Sequence, residues 1–392
     1  MRSLALAVLV AFAVPALAGC GGKSTPVNDA TELVPADVLA YAVFQPSTGE
    51  QSLEAKAPLV ARYANELRSR FGIRHAPVAA QTTIDVARLP SGTVAFARPD
   101  DPKRFSRRLG PGFVHRTIGG WVVFARSEAP IDAVRHRKRT LADQPRFHAA
   151  VRALPDRPAY WAYAPGWSAG AVAVGGRTIT LELVTDRLLR RNVDTSAVAK
   201  RIPSRAVAAF AGAPETVPAG GLAALRPVAR FLTLDLHALV AGLDGPFAAW
   251  AAPGAPVPEV TVVAQPRHPA RALAAVRKVV GRMAGTAPGR ALDLGPLTVT
   301  TALASGQLVT SDVDAPLAGP GPLRPDGLPA SSEWWLYLDA ARALPAMRTL
   351  AALANTTVPA RVDAELRTVR SVLAYAAHTG RVERTVASFE VP

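Results

Sequence analysis

The sequence predicts an α+β fold made of two related halves, each an antiparallel sheet with packed amphipathic helices. Three observations predict it. Four blocks recur in the same order at a spacing of about 170 residues. Short apolar runs alternate with period two between turn residues, and longer runs carry apolar residues at three- and four-residue spacing. The strict strand-helix alternation of a doubly wound parallel sheet is absent.

The chain opens Met1-Arg2-Ser3 and then runs apolar from Leu4 to Leu17, 14 residues that suit the h-region of a secretory signal and are too short to span a bilayer. Leu17-Ala18-Gly19-Cys20 follows, small residues before a cysteine. This resembles the bacterial lipoprotein signal, in which the thiol receives a diacylglyceryl group before cleavage. The resemblance implies a signal peptide over residues 1–19, a mature chain from Cys20, and anchoring to the outer face of the cell membrane. Cys20 is the only cysteine in the chain, so no intrachain disulfide exists and the fold must be held by its core. Residues 20–31, with the polar run Gly21 to Thr31, read as a lipidated flexible tether reaching about 18 Å. The body is expected from Glu32.

The body divides at residues 32–190 and 191–392. Residues 33–43, LVPADVLAYAV, match 201–211, RIPSRAVAAFA, with a proline leading into an apolar strand both times. Residues 94–109 match 261–276, a strand closed by Pro-x-x-Pro and then a helix, with Pro102 and Pro269 in the first turn, where a missing N–H costs nothing. Residues 120–131 match 306–317, and LPDRPAYWAY at 154–163 matches LPASSEWWLY at 328–337. Offsets change only between matched blocks, where loops and peripheral helices absorb insertions.

Helical spacing appears in Leu53, Ala57, Val60, Ala64, Leu67 and Phe71 before a capping Gly72, and in Ala272, Leu273, Val276, Val279, Val280 and Met283. A late helix is expected to carry Val362, Leu366, Val369, Val372 and Leu373. Thr178, Thr180 and Glu182 alternate with Ile179, Leu181 and Leu183, so one sheet face should be buried and the other wetter. Arg381 to Val391 reads as a closing strand.

Leu-Val-Pro-Ala-Asp before a strand, Asp-Gly-Pro-Phe at 244–247, the Gly-x-hydrophobic-Val hairpin and the Leu-Pro…Trp-x-Tyr strand together resemble the bacterial family catalogued as domain of unknown function 3352. The resemblance covers nearly the whole mature chain. It implies an envelope location and supplies no catalytic residue.

The formal charge is +15, and without Arg2 the mature chain keeps 44 basic against 30 acidic residues. A positive field favours anionic neighbours, which outside the membrane are phospholipid head groups, wall polymers or acidic proteins; nucleic acid is not expected there. The densest cluster is RHRKR at 135–139. Arg135, Arg137, Lys138 and Arg139 are candidates for contact with anionic lipid, worth about 1 kcal/mol per basic residue near the surface. The plainer account of such a run is a solvated helix face or loop.

Two aromatic pairs, Tyr160-Trp161 and Trp334-Trp335, form a candidate ligand platform. Adjacent strand residues point to opposite faces, so one ring of each pair is expected in the core and the other along a cleft between the halves. GWSAG at 166–170 matches Gly-x-Ser-x-Gly, with Asp194 or Asp235 and His237, His268 or His378 downstream. A nucleophile elbow needs a helix after the serine, and the Gly-rich, β-prone AVAVGGRTITL follows instead. Ser168 therefore reads as a loop residue, and no catalytic residue is assigned. The seven histidines show no ligand spacing and no phosphate-binding glycine loop exists, so neither metal nor cofactor is expected.

These readings converge on a lipid-anchored, non-enzymatic envelope protein that binds or scaffolds, with its protein partner unidentified. The alternatives are a solute-binding lipoprotein with a ligand cleft between the halves and, less favoured, a serine hydrolase using Ser168.

Overall fold

A computed structural model describes residues 29–44, 83–155, 158, 160–165, 167–175, 177–185, 193–216, 236–254, 258–283, 291–293, 298–304, 306–311, 321–353, 357–358, 360–379 and 382–392. Cys20 and the helix expected at residues 53–71 lie outside them. Asp29–Glu32 form a 3-10 turn with Ala30 and Thr31 fully buried. Ala30 and Thr31, inside the segment read above as tether, therefore belong to the packed body.

Antiparallel pairing joins every strand to its neighbours. The first sheet holds β1 (Ala40–Phe44), β2 (Ile84–Leu89), β3 (Gly92–Ala97), β4 (Val114–Ile118), β5 (Trp121–Ala125), β6 (Tyr160–Ala164), β7 (Trp167–Gly175) and β8 (Thr178–Thr185). Its order is β4-β5-β3-β2-β1-β6-β7-β8. The second holds β9 (Ala208–Gly212), β10 (Phe247–Ala252), β11 (Glu259–Ala264), β12 (Ala291–Asp293), β13 (Thr298–Ala304), β14 (Gln307–Ser311), β15 (Ser332–Asp339), β16 (Ser371–Thr379) and β17 (Val382–Glu390). Its order is β12-β13-β14-β11-β10-β9-β15-β16-β17, which repeats the first strand for strand once β12 is set aside. Ile118 faces Trp121 across a two-residue turn in which Gly119 and Gly120 have φ +57° and +80°. Two successive left-handed residues make the turn whose twist matches the flanking strands.

The helices are α1 (Pro102–Arg108), α2 (Glu128–Arg135), α3 (Pro145–Arg152), α4 (Ser196–Ala199), α5 (Leu236–Leu243), α6 (Pro269–Met283), α7 (Ala340–Leu353) and α8 (Ala360–Arg367). Asp101 caps α1, its side chain accepting from Arg104 N at 2.8 Å, and Pro102 opens the helix. In the expected late helix, α8 stops at Arg367, and Val372 and Leu373 belong to β16. Pairing with β15 on one side and β17 on the other overrides the helical spacing.

Both faces of β1, β2, β3 and β5 are largely buried, where one wetter face was expected, while His115, Arg116 and Thr117 of β4 and Thr178 of β8 are exposed. Ala42, Phe44, Val86, Ala95 and Phe124 line one face, in a layer that continues through Val172 and Ile179 to Trp334, Ala374, Ala387 and Phe389 of the second sheet. Tyr41, Val43, Phe96, Trp121 and Trp161 line the opposite face with Phe147 of α3. On the corresponding face of the second sheet Ala209, Ala211, Trp250 and Trp335 form their own layer.

The sheets meet edge to edge along β8 and β17, which run antiparallel. Val391 N donates to Arg177 O at 2.8 Å, Arg177 Nε donates to Val391 O at 3.1 Å, and Thr180 Oγ1 lies 3.4 Å from Ser388 Oγ. Glu182, expected on a wetter face, is buried in this seam.

Before the first strand of each sheet the backbone makes the same turn. Val38 N donates to Pro35 O and Ala206 N to Pro203 O, at 3.3 and 2.9 Å. Leu39 N reaches Arg88 O in the neighbouring strand, as Val207 N reaches Ala251 O. Leu141 N bonds Val34 O, as Leu323 N bonds Ile202 O, and single bridges join Pro35 to Thr140 and Pro203 to Pro322.

Candidate functional site

The basic run begins at the last turn of α2, where Arg135 suits the negative end of the helix dipole and lies 3.3 Å from Asp132. Arg137 does structural work rather than offering a free cation. Its Nε donates to Glu32 O at 2.8 Å and its Nη1 to Val134 O at 2.7 Å, tying the run to the first turn of the body. This bond has no signature in the sequence, because the two residues lie 105 positions apart. Ala36 N donates to Arg139 O at 3.1 Å, while the side chains of Arg135, Lys138 and Arg139 are exposed.

A capping box ends the run. Thr140 N and Oγ1 both donate to Asp143 Oδ2, at 2.7 and 2.8 Å, at the start of the 3-10 turn Leu141–Asp143. The bond from the Thr140 backbone, then that from its hydroxyl, hold the Asp143 carboxyl below the usual range. Arg135 at the end of α2, and Lys138 and Arg139 on the braced loop after it, thereby stand exposed beside the turn Asp29–Glu32.

The aromatic platform is overturned for the three rings whose burial is described. Trp161, Trp334 and Trp335 are each 3–4% exposed. Trp161 packs edge-on against Tyr41 at 5.5 Å between centroids, with Phe147 at 6.1 Å. Trp334 and Trp335 do point to opposite faces, but each face carries a core layer. Tyr160 opens β6, paired with Phe44 and Val172. Ser168 lies within β7, between the paired residues Trp167 and Ala169, so it belongs to a strand rather than a loop, and β8 rather than a helix follows. Among the described residues no group of three or more His, Cys, Asp or Glu is placed to hold a metal ion. None of the described helices is long and apolar enough to cross a membrane.

Several features escaped the sequence reading. Arg384 Nε lies 3.0 Å from Glu182 Oε1 across the seam. Glu333 sits at the irregularity between β15 and β16, 1% exposed, and burial pushes its carboxyl up to about 7. Asp244, a non-glycine residue at φ +51°, holds His268 Nδ1 at 2.7 Å, a contact that lowers its own pKa. Beside Leu39 a depression of about 400 Å³ opens, lined by Ala36, Asp37, Val38, Gln144 and Pro165. Leu39 is 52% exposed, against 1% for Val207 at the matching turn. Burial of a residue within a short apolar run is a tertiary property, so period-two spacing carries no signal for this contrast.

No family model matches the chain, and no curated protein matches it. Two solved structures are similar in part, "Structure of crystal form III of TP0453" and "Structure of crystal form I of TP0453". They are 9% and 10% identical, cover 74% and 75% of this chain and 94% and 96% of theirs, with TM-scores of 0.19 and 0.16.

Proposed function

We propose that the protein is a lipid-anchored, extracytoplasmic component of a bacterial cell envelope, held at the outer face of the cell membrane through Cys20, with a non-enzymatic binding or scaffolding role. The observation that carries this reading is one cysteine at the end of an apolar run, with a packed turn at Asp29–Glu32 close behind it in sequence. The eight residues between them, read from composition as tether, would reach about 16 Å. A body so closely held brings its charges near the head groups, where basic side chains are attracted over a Debye length of about 8 Å. Arg135, Lys138 and Arg139 stand exposed beside the first turn of that body.

The halves at 32–190 and 191–392 are read as copies of one ancestral unit. Four collinear sequence matches support this, as do the repeated strand order and the repeated turn at Pro35 and Pro203. The resemblance to the domain of unknown function 3352 family agrees with an envelope location.

A soluble form beginning at Lys23 tests the binding role by retention on isolated cell walls and on anionic vesicles across a salt series. Retention at low salt that falls steeply as salt rises is expected, and neutralising Arg135, Lys138 and Arg139 together should abolish it. Absence of retention at low salt would overturn the basic surface as the functional one.

A further inference from the structure

The two matching turns differ in what stands beside them. In the second half, β15 runs at Asp339 straight into α7. Asp339 N donates to Val207 O at 2.8 Å, and Arg342 Nη2, in the first turn of the helix, donates to Arg205 O at 3.1 Å. Ala340, Ala343 and Leu344 of this helix are buried, and Val207 is 1% exposed.

In the first half no such helix follows. Strand β6 turns at Pro165 directly into β7, so proline stands where Asp339 stands in the other half. Pro165 has no N–H to give to Leu39 O. Leu39, in the place of Val207, is 52% exposed, and the depression of about 400 Å³ opens beside it. Leu39 is one of three large apolar residues exposed in the described body, with Val260 and Leu303.

The geometry points to the Leu39 corner as a docking site for an α-helix of a partner protein, its first turn placed as that of α7 is placed beside Arg205 O. This rests on the correspondence of the halves proposed above. The matching corner defines the chemistry of the occupant. It is a helix with a stripe of small and branched apolar residues at the spacing of Ala340, Ala343 and Leu344, the i, i+3, i+4 pattern of helix-in-groove recognition. A cation in its first turn, placed as Arg342 is, meets the carbonyls of residues 36–39. It also meets the exposed carboxylate of Asp37, where the second half carries Arg205 paired with Glu259. Asp37 is the charged residue of the rim and suits a cation in the first turn of that helix, while the exposed Arg139, bonded through its carbonyl to Ala36 N, flanks the corner on the side of the basic run. Gln144 donates to Ala36 O, which fixes that rim.

A fluorescent peptide of residues 339–353, the sequence of α7, serves as the probe. It is titrated by anisotropy against the mature chain carrying Cys20→Ser, in which its own corner is already filled. Saturable binding is expected, weakened at least tenfold by Leu39→Asp and by Asp37→Lys. Leu39 and Asp37 are exposed, and thermal unfolding of both variants should match the parent. Absence of saturable binding, or binding indifferent to Leu39→Asp, overturns the proposal. Retention on anionic vesicles is measured on the same variants. Loss of retention in Leu39→Asp would also overturn it, by assigning the corner to lipid. Failure of retention in the parent with peptide binding intact would remove the basic-surface reading alone.

Discussion

Arg384 and Glu182 face each other at 3.0 Å across the line where β17 meets β8, and Arg384 also donates to Ala153 O at 3.1 Å. Burial raises the Glu182 carboxyl above its ordinary value, and the guanidinium opposes that rise. Removing one member of a buried pair leaves the other charged in a poor solvent. Because Arg384 is one-third exposed, Arg384→Met is expected to cost about 1–3 kcal/mol at pH 8, between the values for surface and buried pairs. An acid with a raised folded pKa loses stability as pH rises from its unfolded value through the folded one. The loss in Arg384→Met should therefore be smaller at pH 4.5 than at pH 8. Urea unfolding at both pH values reads the difference, and an equal loss at both would contradict it.

Glu333 gives a second pH signature. Burial alone raises its carboxyl to about 7. The unfolded chain ionises near 4.5, so the native state forfeits stability between pH 4.5 and about 7. Glu333→Gln removes that titration and should flatten the slope of stability against pH in this window. Thermal unfolding across pH 4–8 checks it, and an unchanged slope would place the titration elsewhere.

Gly245 explains the close spacing in Asp-Gly-Pro-Phe. A Cβ built on it would lie 2.3 Å from Gln265 O, a backbone atom that Gln265 cannot swing away. Gln265 N already donates to Pro246 O, and Arg267 N to Asp244 O. Gly245→Ala is expected to cost about 2–4 kcal/mol, at the upper end for point substitutions, with the loss read as a lower urea midpoint. Stability within about 0.5 kcal/mol of the parent would show that the turn yields.

Thr140 braces the basic run. Thr140→Ala should cost about 1 kcal/mol, the usual value of an N-cap side chain. Asp143 is held below its ordinary pKa, so its share of stability is present above about 3.8 and is lost as pH falls through the folded value. The cost of Thr140→Ala should accordingly shrink toward pH 2. A cost independent of pH would mean that the hydroxyl acts without the carboxylate.

The sequence made the antiparallel sheets readable through β8, α6 and the closing strand, where period-two or helical spacing is long and flanked by turn residues. It misled at Val369 to Leu373, because β16 reads Ser-Val-Leu-Ala-Tyr-Ala-Ala-His-Thr. Alanine favours helix, and only strands on both sides decide otherwise. Trp161, Trp334 and Trp335 were legible as strand residues but not as core on both faces, since alternation does not reveal what covers the second face. The basic run was visible as charge, whereas the bond from Arg137 to Glu32 depends on chain reversal far away in sequence. Glu182 looked like a solvated residue because its partner lies on a strand two hundred positions later.

Attachment through Cys20 is read from the intact mass of the mature protein purified from its native membrane. A chain beginning at Cys20 is expected, its mass exceeding the polypeptide by a diacylglyceryl group, with the added mass and the membrane fraction both lost in Cys20→Ser. An unmodified Cys20, or a protein that stays in the membrane fraction when Cys20→Ser is introduced, would contradict it.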